Sequence, residues 1–310
     1  MKKQAIFIMG PTAVGKTALA MQLSEHLPVD IISVDSAMIY RGMDIGTGKP
    51  TLDEQKSFPH KLIDICDPSE TYSAAQFCSD ATHAMHQSWQ QQRIPLLVGG
   101  TMLYFKALQF GMATLPSADP AVRLELNLEL QQLGSEALHA KLQSLDPQAA
   151  QRLNVNDTQR ILRALEINIL TSETLSAHYQ RQSNIQLDYD LYNFAILPHT
   201  RIALHQTIAQ RFDQMLDNNF LSEVEKLYNR GDLHAQLPSM RAVGYRQAWS
   251  YLDQQIDFTT MREQAIAATR QLAKRQHTWL RSWPKVITIE NSNSTALDTM
   301  LRSMLHSSKD

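Results

Sequence analysis

Near the start of the chain a glycine, four residues and then Gly-Lys-Thr occur as Gly10, Pro11, Thr12, Ala13, Val14, Gly15, Lys16 and Thr17. This is the spacing with which a loop surrounds phosphate. Glycines let the backbone approach phosphate oxygens, the Lys16 ammonium reaches the outer phosphate, and the Thr17 hydroxyl is a ligand for Mg²⁺. The pattern leaves open whether the ligand is a nucleoside triphosphate or another diphosphate ester. Further on, Asp35 and Ser36 close one short β-branched run and Gly99-Gly100-Thr101 closes another. A phosphate-loop protein that hydrolyses ATP usually ends the second of these runs in an acid that helps hold Mg²⁺. Gly-Gly-Thr stands there instead, which argues against a conventional ATPase and makes Thr101 a polar contact at the strand end.

The elements that must position these residues follow from pattern. Residues 6–9, 29–34 and 94–98 are apolar, β-branched runs of the kind buried on both faces of a parallel sheet. After the first comes an amphipathic helix expected to turn Ala18, Leu19, Leu23 and Leu27 inward. Ligands bind beyond the carboxyl ends of such strands, so Asp35 and Ser36 are expected to share a crevice with the phosphate loop. Residues 40–50, punctuated by Gly42, Gly46 and Gly48, form a loop too long and polar for a simple connector. Residues 60–65 read as a further strand, and 72–92 as a helix with Ala75, Ala81, Met85 and Trp89 on one face.

At Pro116 and Pro120 the texture changes to helix. Val122, Leu126, Leu130 and Leu133 recur at helical spacing, and Asp157 is placed to cap a helix whose buried stripe is Ile161, Leu162, Leu165 and Ile169. Gln159, Arg160 and Arg163 fall on the opposite side, where a solvated face and a binding face are equally open. Residues 191–197 return to strand pattern and are expected to rejoin the sheet. Beyond them the chain reads as helical, with Arg201, Leu204, Ile208, Arg211, Phe212 and Met215 on one helix and another helix after residues 238–246. Residues 262–285 hold six Lys and Arg against one acid, Glu263. There Arg270, Lys274, His277 and Arg281 form one stripe, and Leu272, Trp279 and Trp283 form an apolar one. A basic stripe with apolar anchors is what recognition of a phosphate backbone requires. Residues 292–310 are weakly patterned and are expected to fray. The fold class is therefore α/β: a parallel sheet flanked by helices, built from residues 1–115 and 189–310, with an all-helical insertion at 116–188 and a helical C-terminal part.

Whole-chain properties set the background. The chain has 310 residues, 43% of them hydrophobic, and a formal net charge of −2, so no global basicity announces a nucleic-acid partner. Cys66 and Cys78 are too far apart for a Cys-x-x-Cys site, which suits a reducing cytoplasm. The N-terminal apolar run is too short for a secretory core, and no stretch reaches the length of a membrane span. A soluble, cytoplasmic monomer is the expectation.

Several separated motifs agree with one family. The phosphate loop, Asp35-Ser36 with Tyr40, Met43 to Pro50, Asp67-Pro68 with Tyr72-Ser73, Gly99-Gly100-Thr101 with Leu103-Tyr104, Gln159 to Arg163, Val243 to Arg246 and Thr269 to Gln276 together resemble the bacterial tRNA dimethylallyltransferases over nearly the full length. The resemblance implies a phosphate-loop NTPase-like core. It also implies transfer of a dimethylallyl group from dimethylallyl diphosphate to N6 of adenosine 37, beside the anticodon, in tRNAs reading codons that begin with U. By resemblance the loop residues hold diphosphate and not ATP, Asp35 is the base, Thr101 is catalytic, and Lys16 and Arg211 stabilise the leaving group together with Mg²⁺ on Thr17. Thr12, Thr101 and Arg123 match positions that touch either substrate. Contacts to the anticodon stem-loop fall by resemblance on Asp35, Ser36, Ala37, Met38, Gln159, Arg160, Ile161, Leu162, Arg163, Met240, Arg241, Ala242, Val243, Gly244 and Tyr245, besides the stripe Arg270, Lys274, His277 and Arg281. The chain departs from the family at Val14, where many relatives carry Ser, and at Met38, where Gln is usual. The rival readings are a phosphate-loop kinase of nucleosides or small metabolites and a non-catalytic RNA-binding module.

Overall fold

The computed structural model describes residues 3–113, 115–181, 187–290 and 295–306. In chain order the elements are β1 (Gln4–Met9), α1 (Lys16–Ser24), β2 (Val29–Val34), α2 (Leu52–Ser57), β3 (His60–Lys61), α3 (Ala74–Gln90), β4 (Ile94–Gly99) and α4 (Met102–Phe110). Next come α5 (Pro120–Leu145), α6 (Pro147–Arg152), α7 (Thr158–Thr171) and α8 (Leu175–Gln180). The chain ends with β5 (Asp190–Leu197), α9 (Arg201–Asp217), α10 (Phe220–Tyr228), α11 (Tyr245–Leu252), α12 (Phe258–Arg281), β6 (Ile287–Glu290) and α13 (Thr295–His306). Two compact units result, Met1–Leu108 with Leu187–Asp310 and, separately, Gln109–Gln186. The expected insertion was 116–188.

The first unit is built on a six-stranded sheet of order β3-β2-β4-β1-β5-β6, parallel at every pairing. Alternation along each strand divides the apolar residues between two layers. Ile6, Ile8, Ile31, Leu96 and Val98 pack on Leu19 and Leu23 of α1 and on Ala296 and Met300 of α13. On the opposite face Phe7 meets Phe105 of α4 with ring centres 5.0 Å apart, and Phe77 of α3 stacks on Tyr104 at 4.4 Å. A second core joins α9, α10, α11 and α12 through Ile208, Phe212, Phe220, Tyr245, Trp249 and Met261 to Ile39, Tyr40 and Met43, just beyond β2. The order places β2, β4 and β1 side by side, so the strand exits at Asp35, Gly100 and Gly10 emerge as neighbours.

Several local expectations need correction. Ala18 is exposed, and Leu27 lies beyond α1, which stops at Ser24. On α3 the buried face is Phe77, Ala81, Ala84, Met85 and Ser88, and Ala75 in the first turn points out. The third strand is only two residues long because Leu62 and Asp64 take left-handed backbone, φ 62° and 55°. The tail expected to fray contains α13, whose Ala296, Met300 and Met304 recur every four residues and bury. Before it, β6 adds a parallel strand beside β5 that its four residues were too few to reveal. Residues 292–294 and 307–310 of that tail lie outside the described residues.

In the second unit α5, α6 and α7 enclose Leu126, Leu138, Leu142, Ala149, Ile161, Ala164 and Leu165. Gly134, with φ 81° and ψ 172°, breaks α5 into two helical stretches. Leu133 therefore leaves the stripe of Val122, Leu126 and Leu130 and stays 60% exposed. At the end of this core Glu166, wholly buried, pairs with Arg123 Nε at 3.1 Å and Arg163 Nη1 at 2.6 Å and accepts the Asp119 N–H at 2.9 Å. Burial by itself would raise this carboxyl, but the donors from Arg163, Arg123 and Asp119 hold it below the usual range.

Candidate active site

The loop between β1 and α1 turns on left-handed backbone at Ala13 (φ 65°) and Gly15 (φ 85°). Such alternation makes a concave row of N–H groups ahead of a helix N-terminus, an anion cradle. Lys16 lies back along it, its Nζ donating to the Pro11 carbonyl at 2.6 Å. Burial pulls the Lys16 ammonium down to about 8; Asp35 opposes that shift and Arg211 adds to it. Arg211, on α9, is likewise pulled down by burial and supported by Asp35. Two desolvated cations thus face one carboxylate, leaving a net positive charge that a bound anion would offset.

Asp35 is held by its own turn, Oδ1 accepting the N–H groups of Ala37 at 2.8 Å and Met38 at 3.3 Å. Thr101 ties the ends of β2 and β4 together: its hydroxyl accepts the Ser36 N–H at 3.0 Å and its own N–H donates to the Val34 carbonyl at 3.2 Å. The Met38 sulfur accepts from the buried Ser33 hydroxyl at 3.9 Å, so the thioether lies back against β2.

Glu223, which no sequence motif includes, and Lys49 hold the glycine-punctuated loop. Glu223 of α10 accepts three successive N–H groups, from Asp44, Ile45 and Gly46 at 2.9, 2.8 and 3.1 Å, and the Tyr245 hydroxyl at 2.5 Å. Lys49, its side chain 2% exposed, donates to the Tyr40 carbonyl at 2.9 Å and pairs with Asp44 and Asp64 at 2.5 Å each. Gly48, at φ 64°, is thereby brought under the Arg211 guanidinium, where a Cβ would stand 1.7 Å from Nη2. A lone acid on a helix and a lysine in a loop have no diagnostic spacing; only the fold shows what they touch. The same is true of Gln276 on α12, which accepts the Thr12 N–H at 2.9 Å and donates to the Gly100 carbonyl at 2.9 Å.

These groups surround a cavity of about 420 Å³, within the range of small-ligand sites. Thr12, Ala13, Gly15, Lys16, Thr17, Asp35, Ala37, Met38 and Arg211 line it, as do Ala242, Val243, Gly244 and Tyr245. His60 lines it too, with Nδ1 2.6 Å from the Phe58 carbonyl. Gly10, Pro11 and Val14 are buried supports of the loop, and Ser36 and Thr101 are not on the cavity wall.

Other expected residues are placed differently from the sequence reading. Met240 and Tyr245 are fully buried in the helical core, Tyr245 reaching only the cavity wall, and Ile161 is 1% exposed in the second unit, in the stripe where its spacing put it. Packing against apolar neighbours claimed them. Arg123 and Arg163 are occupied by Glu166, whereas Gln159 and Arg160 are exposed and Leu162 is half-buried. On α12, Lys274 and Arg281 are exposed while Arg262 is neutralised by Asp213 at 2.6 Å. Arg270 reaches the His205 carbonyl at 3.5 Å, and its Nε is buried without a partner. Burial, and then Arg270 and Arg201, hold His205 below its usual value; burial and Arg281 do the same to His277. The anchoring face of α12 is Met261, Ala265, Ile266, Ala273, Gln276 and Leu280. Leu272 instead lines the cavity, and Trp279 lies under the Lys106 ammonium at 5.5 Å.

Comparison with known proteins gives this arrangement a family. Residues 38–283 match the family described as IPP transferase, and residues 3–67 match isopentenyl transferase. The chain belongs to the IPP transferase family. It matches relatives along its whole length: it is 52% identical over 311 residues to a tRNA dimethylallyltransferase of Thioalkalivibrio sulfidiphilus, with 100% of this chain and 97% of that protein covered. Among solved structures, a full-length tRNA isopentenylpyrophosphate transferase of Bacillus halodurans is similar with a TM-score of 0.71 and 35% identity, over 99% of this chain and 96% of that one. A tRNA delta(2)-isopentenylpyrophosphate transferase of Staphylococcus epidermidis gives 0.69 and 32%, over 99% of each. A eukaryotic dimethylallyltransferase acting on tRNA shares the fold, with a TM-score of 0.80 at 24% identity over 97% of this chain and 78% of that one. The sheet of this IPP transferase is accordingly of the phosphate-loop NTPase-like kind.

Proposed function

We propose that this chain transfers a dimethylallyl group from dimethylallyl diphosphate to N6 of adenosine 37 in tRNAs reading codons that begin with U. The observation that carries the reading is the placement of Asp35 in one cavity with the phosphate loop, Lys16 and Arg211. An exocyclic aromatic amine is a weak nucleophile, so its proton must leave as the N–C bond forms; Asp35 takes it. The allylic C–O bond breaks, and its electron pair leaves on diphosphate. Lys16, Arg211 and the loop N–H groups meet the developing charge. Thr101 acts through Ser36, keeping the ends of β2 and β4 in register.

Among the described residues no three His, Cys, Asp or Glu cluster to hold a metal. The Thr17 hydroxyl, on the cavity wall beside the phosphate loop, fits Mg²⁺, which keeps most of its water and takes substrate phosphate oxygens, as the one protein ligand. When bound, Mg²⁺ would neutralise charge on the leaving diphosphate. The adenine of a folded anticodon loop reaches such a cavity only by leaving its stack. Gln159 and Arg160 of the insertion, Arg241 to Gly244, the α12 cations Arg270, Lys274 and Arg281 and the imidazole of His277 support the anticodon stem-loop. No described helix is long and apolar enough to cross a membrane, and we place the enzyme in the cytoplasm as a monomer.

The kinase reading has no support at β4, which ends in Gly99-Gly100-Thr101 without an acid. Incubation with dimethylallyl diphosphate and either unmodified tRNA or AMP, followed by mass spectrometry, tests the proposal. One dimethylallyl group on tRNA and none on AMP is expected. Phosphoryl transfer or hydrolysis from ATP, with tRNA unchanged, would overturn it.

A further inference from the structure

The phosphate loop must keep its cradle open before an anion arrives, although its N–H groups repel one another and its two flanking cations are desolvated. Within the loop Lys16 ties back to Pro11, five residues away. The tie from outside comes from α12, 264 residues along the chain. Gln276 is 7% exposed, and both ends of its amide are engaged: Oε1 with the Thr12 N–H and Nε2 with the Gly100 carbonyl, at 2.9 Å each. One planar side chain therefore spans the gap between the exits of β1 and β4. It sets how far the loop stands from the Gly99-Gly100 turn.

Gly100 is built to admit it. A Cβ at Gly100 would stand 2.3 Å from Gln276 Nε2, so any other residue would drive the amide out. The glycine is thus explained by the close approach of a side chain from α12 as much as by the turn it makes. Gln276 also lines the cavity, beside Thr12, Gly99 and Gly100. An amide suits the position because it donates and accepts at once and carries no charge to compete with the diphosphate.

We propose that Gln276 is a positioning residue for the diphosphate site, holding the phosphate loop and the Gly99-Gly100 turn at the separation that the leaving group requires. The inference rests on the dimethylallyl-transfer reading, and the test separates the two. Inorganic pyrophosphate affinity is measured by calorimetry, KM for dimethylallyl diphosphate and kcat by steady-state assay on tRNA, tRNA affinity by filter binding, and folding by thermal melting. Gln276→Met keeps the length and removes both hydrogen bonds; it should weaken pyrophosphate binding and raise KM roughly ten-fold, with tRNA affinity within about two-fold of wild type. Gln276→Glu keeps an acceptor for Thr12 but sets a carboxylate against the Gly100 carbonyl, so it should not rescue. Gly100→Ala, with Gln276 intact, should reproduce the Gln276→Met defect, and it carries the test if Gln276→Met does not fold. Unchanged pyrophosphate affinity in a folded variant would overturn the inference, as would parallel losses of tRNA affinity and melting temperature, which mark a merely structural role. A wild-type protein that binds no pyrophosphate would overturn the transfer reading and this inference with it.

Discussion

At the scale of residues the chemistry is an imbalance of charge. Lys16 and Arg211 are both desolvated and share one nearby carboxylate, Asp35. If Asp35 is the base, Asp35→Asn should lower the single-turnover rate by roughly 10²–10⁴ while tRNA affinity is kept. A near-wild-type rate would remove it from that role. Lys16 pulls stability against function. Holding its charge where burial brings the group from 10.5 to about 8 costs the empty protein roughly 3 kcal/mol at neutral pH. Between those two values the unfolded chain holds a proton that the folded one has released, so this contribution to stability is worst below about 8 and improves as pH rises toward 10.5. Lys16→Met should therefore melt higher than wild type near neutral pH and bind pyrophosphate far more weakly. Wild-type pyrophosphate affinity should fall as pH rises through about 8, as the ammonium loses its proton.

At the scale of elements, the site is held by side chains reaching in from helices late in the chain. Glu223 on α10 organises residues 44–46, and their position puts Gly48 beneath Arg211. Glu223→Ala leaves three N–H groups and the Tyr245 hydroxyl without this acceptor. A misplaced guanidinium should then cost roughly 10–100-fold in kcat/KM for dimethylallyl diphosphate, with Glu223→Gln closer to wild type. Steady-state kinetics on tRNA reads this directly, and equal losses in Gln and Ala would show that charge on Glu223, and not its hydrogen bonds, is what matters. In the insertion the Glu166 cluster does comparable work within its own helices, at the cost of Arg123 and Arg163 as free cations. The stripe read from spacing included Ile169, which is 51% exposed, whereas Ala164, Glu166 and Ile167 are buried, and no spacing reveals that the buried Glu166 will occupy Arg163.

At the scale of the whole molecule, binding RNA with a chain of net charge −2 requires cations concentrated on one surface. Arg270→Ala and Lys274→Ala should each weaken tRNA binding and flatten its dependence on salt by about one released counterion. Filter binding across a salt series checks this, and unchanged affinity and slope in both would make the stripe an ordinary solvated face. Sequence alone determined the phosphate loop, the buried strands, the helical insertion and Asp35 at a strand end, because these rest on local spacing and burial period. It could not show β6, whose four residues carry too little pattern, or the packing of α13, whose stripe is three residues long. Only the tertiary structure decided how deeply Tyr245 and Met240 are buried. Their apolar neighbours are distant in sequence. Likewise Gln276 and Glu223 acquire their roles from α12 and α10 meeting loops some two hundred residues earlier. A hydrogen bond carries no trace in the sequence of a partner so far away, and so the anion site was legible in its cradle and illegible in what holds the cradle open.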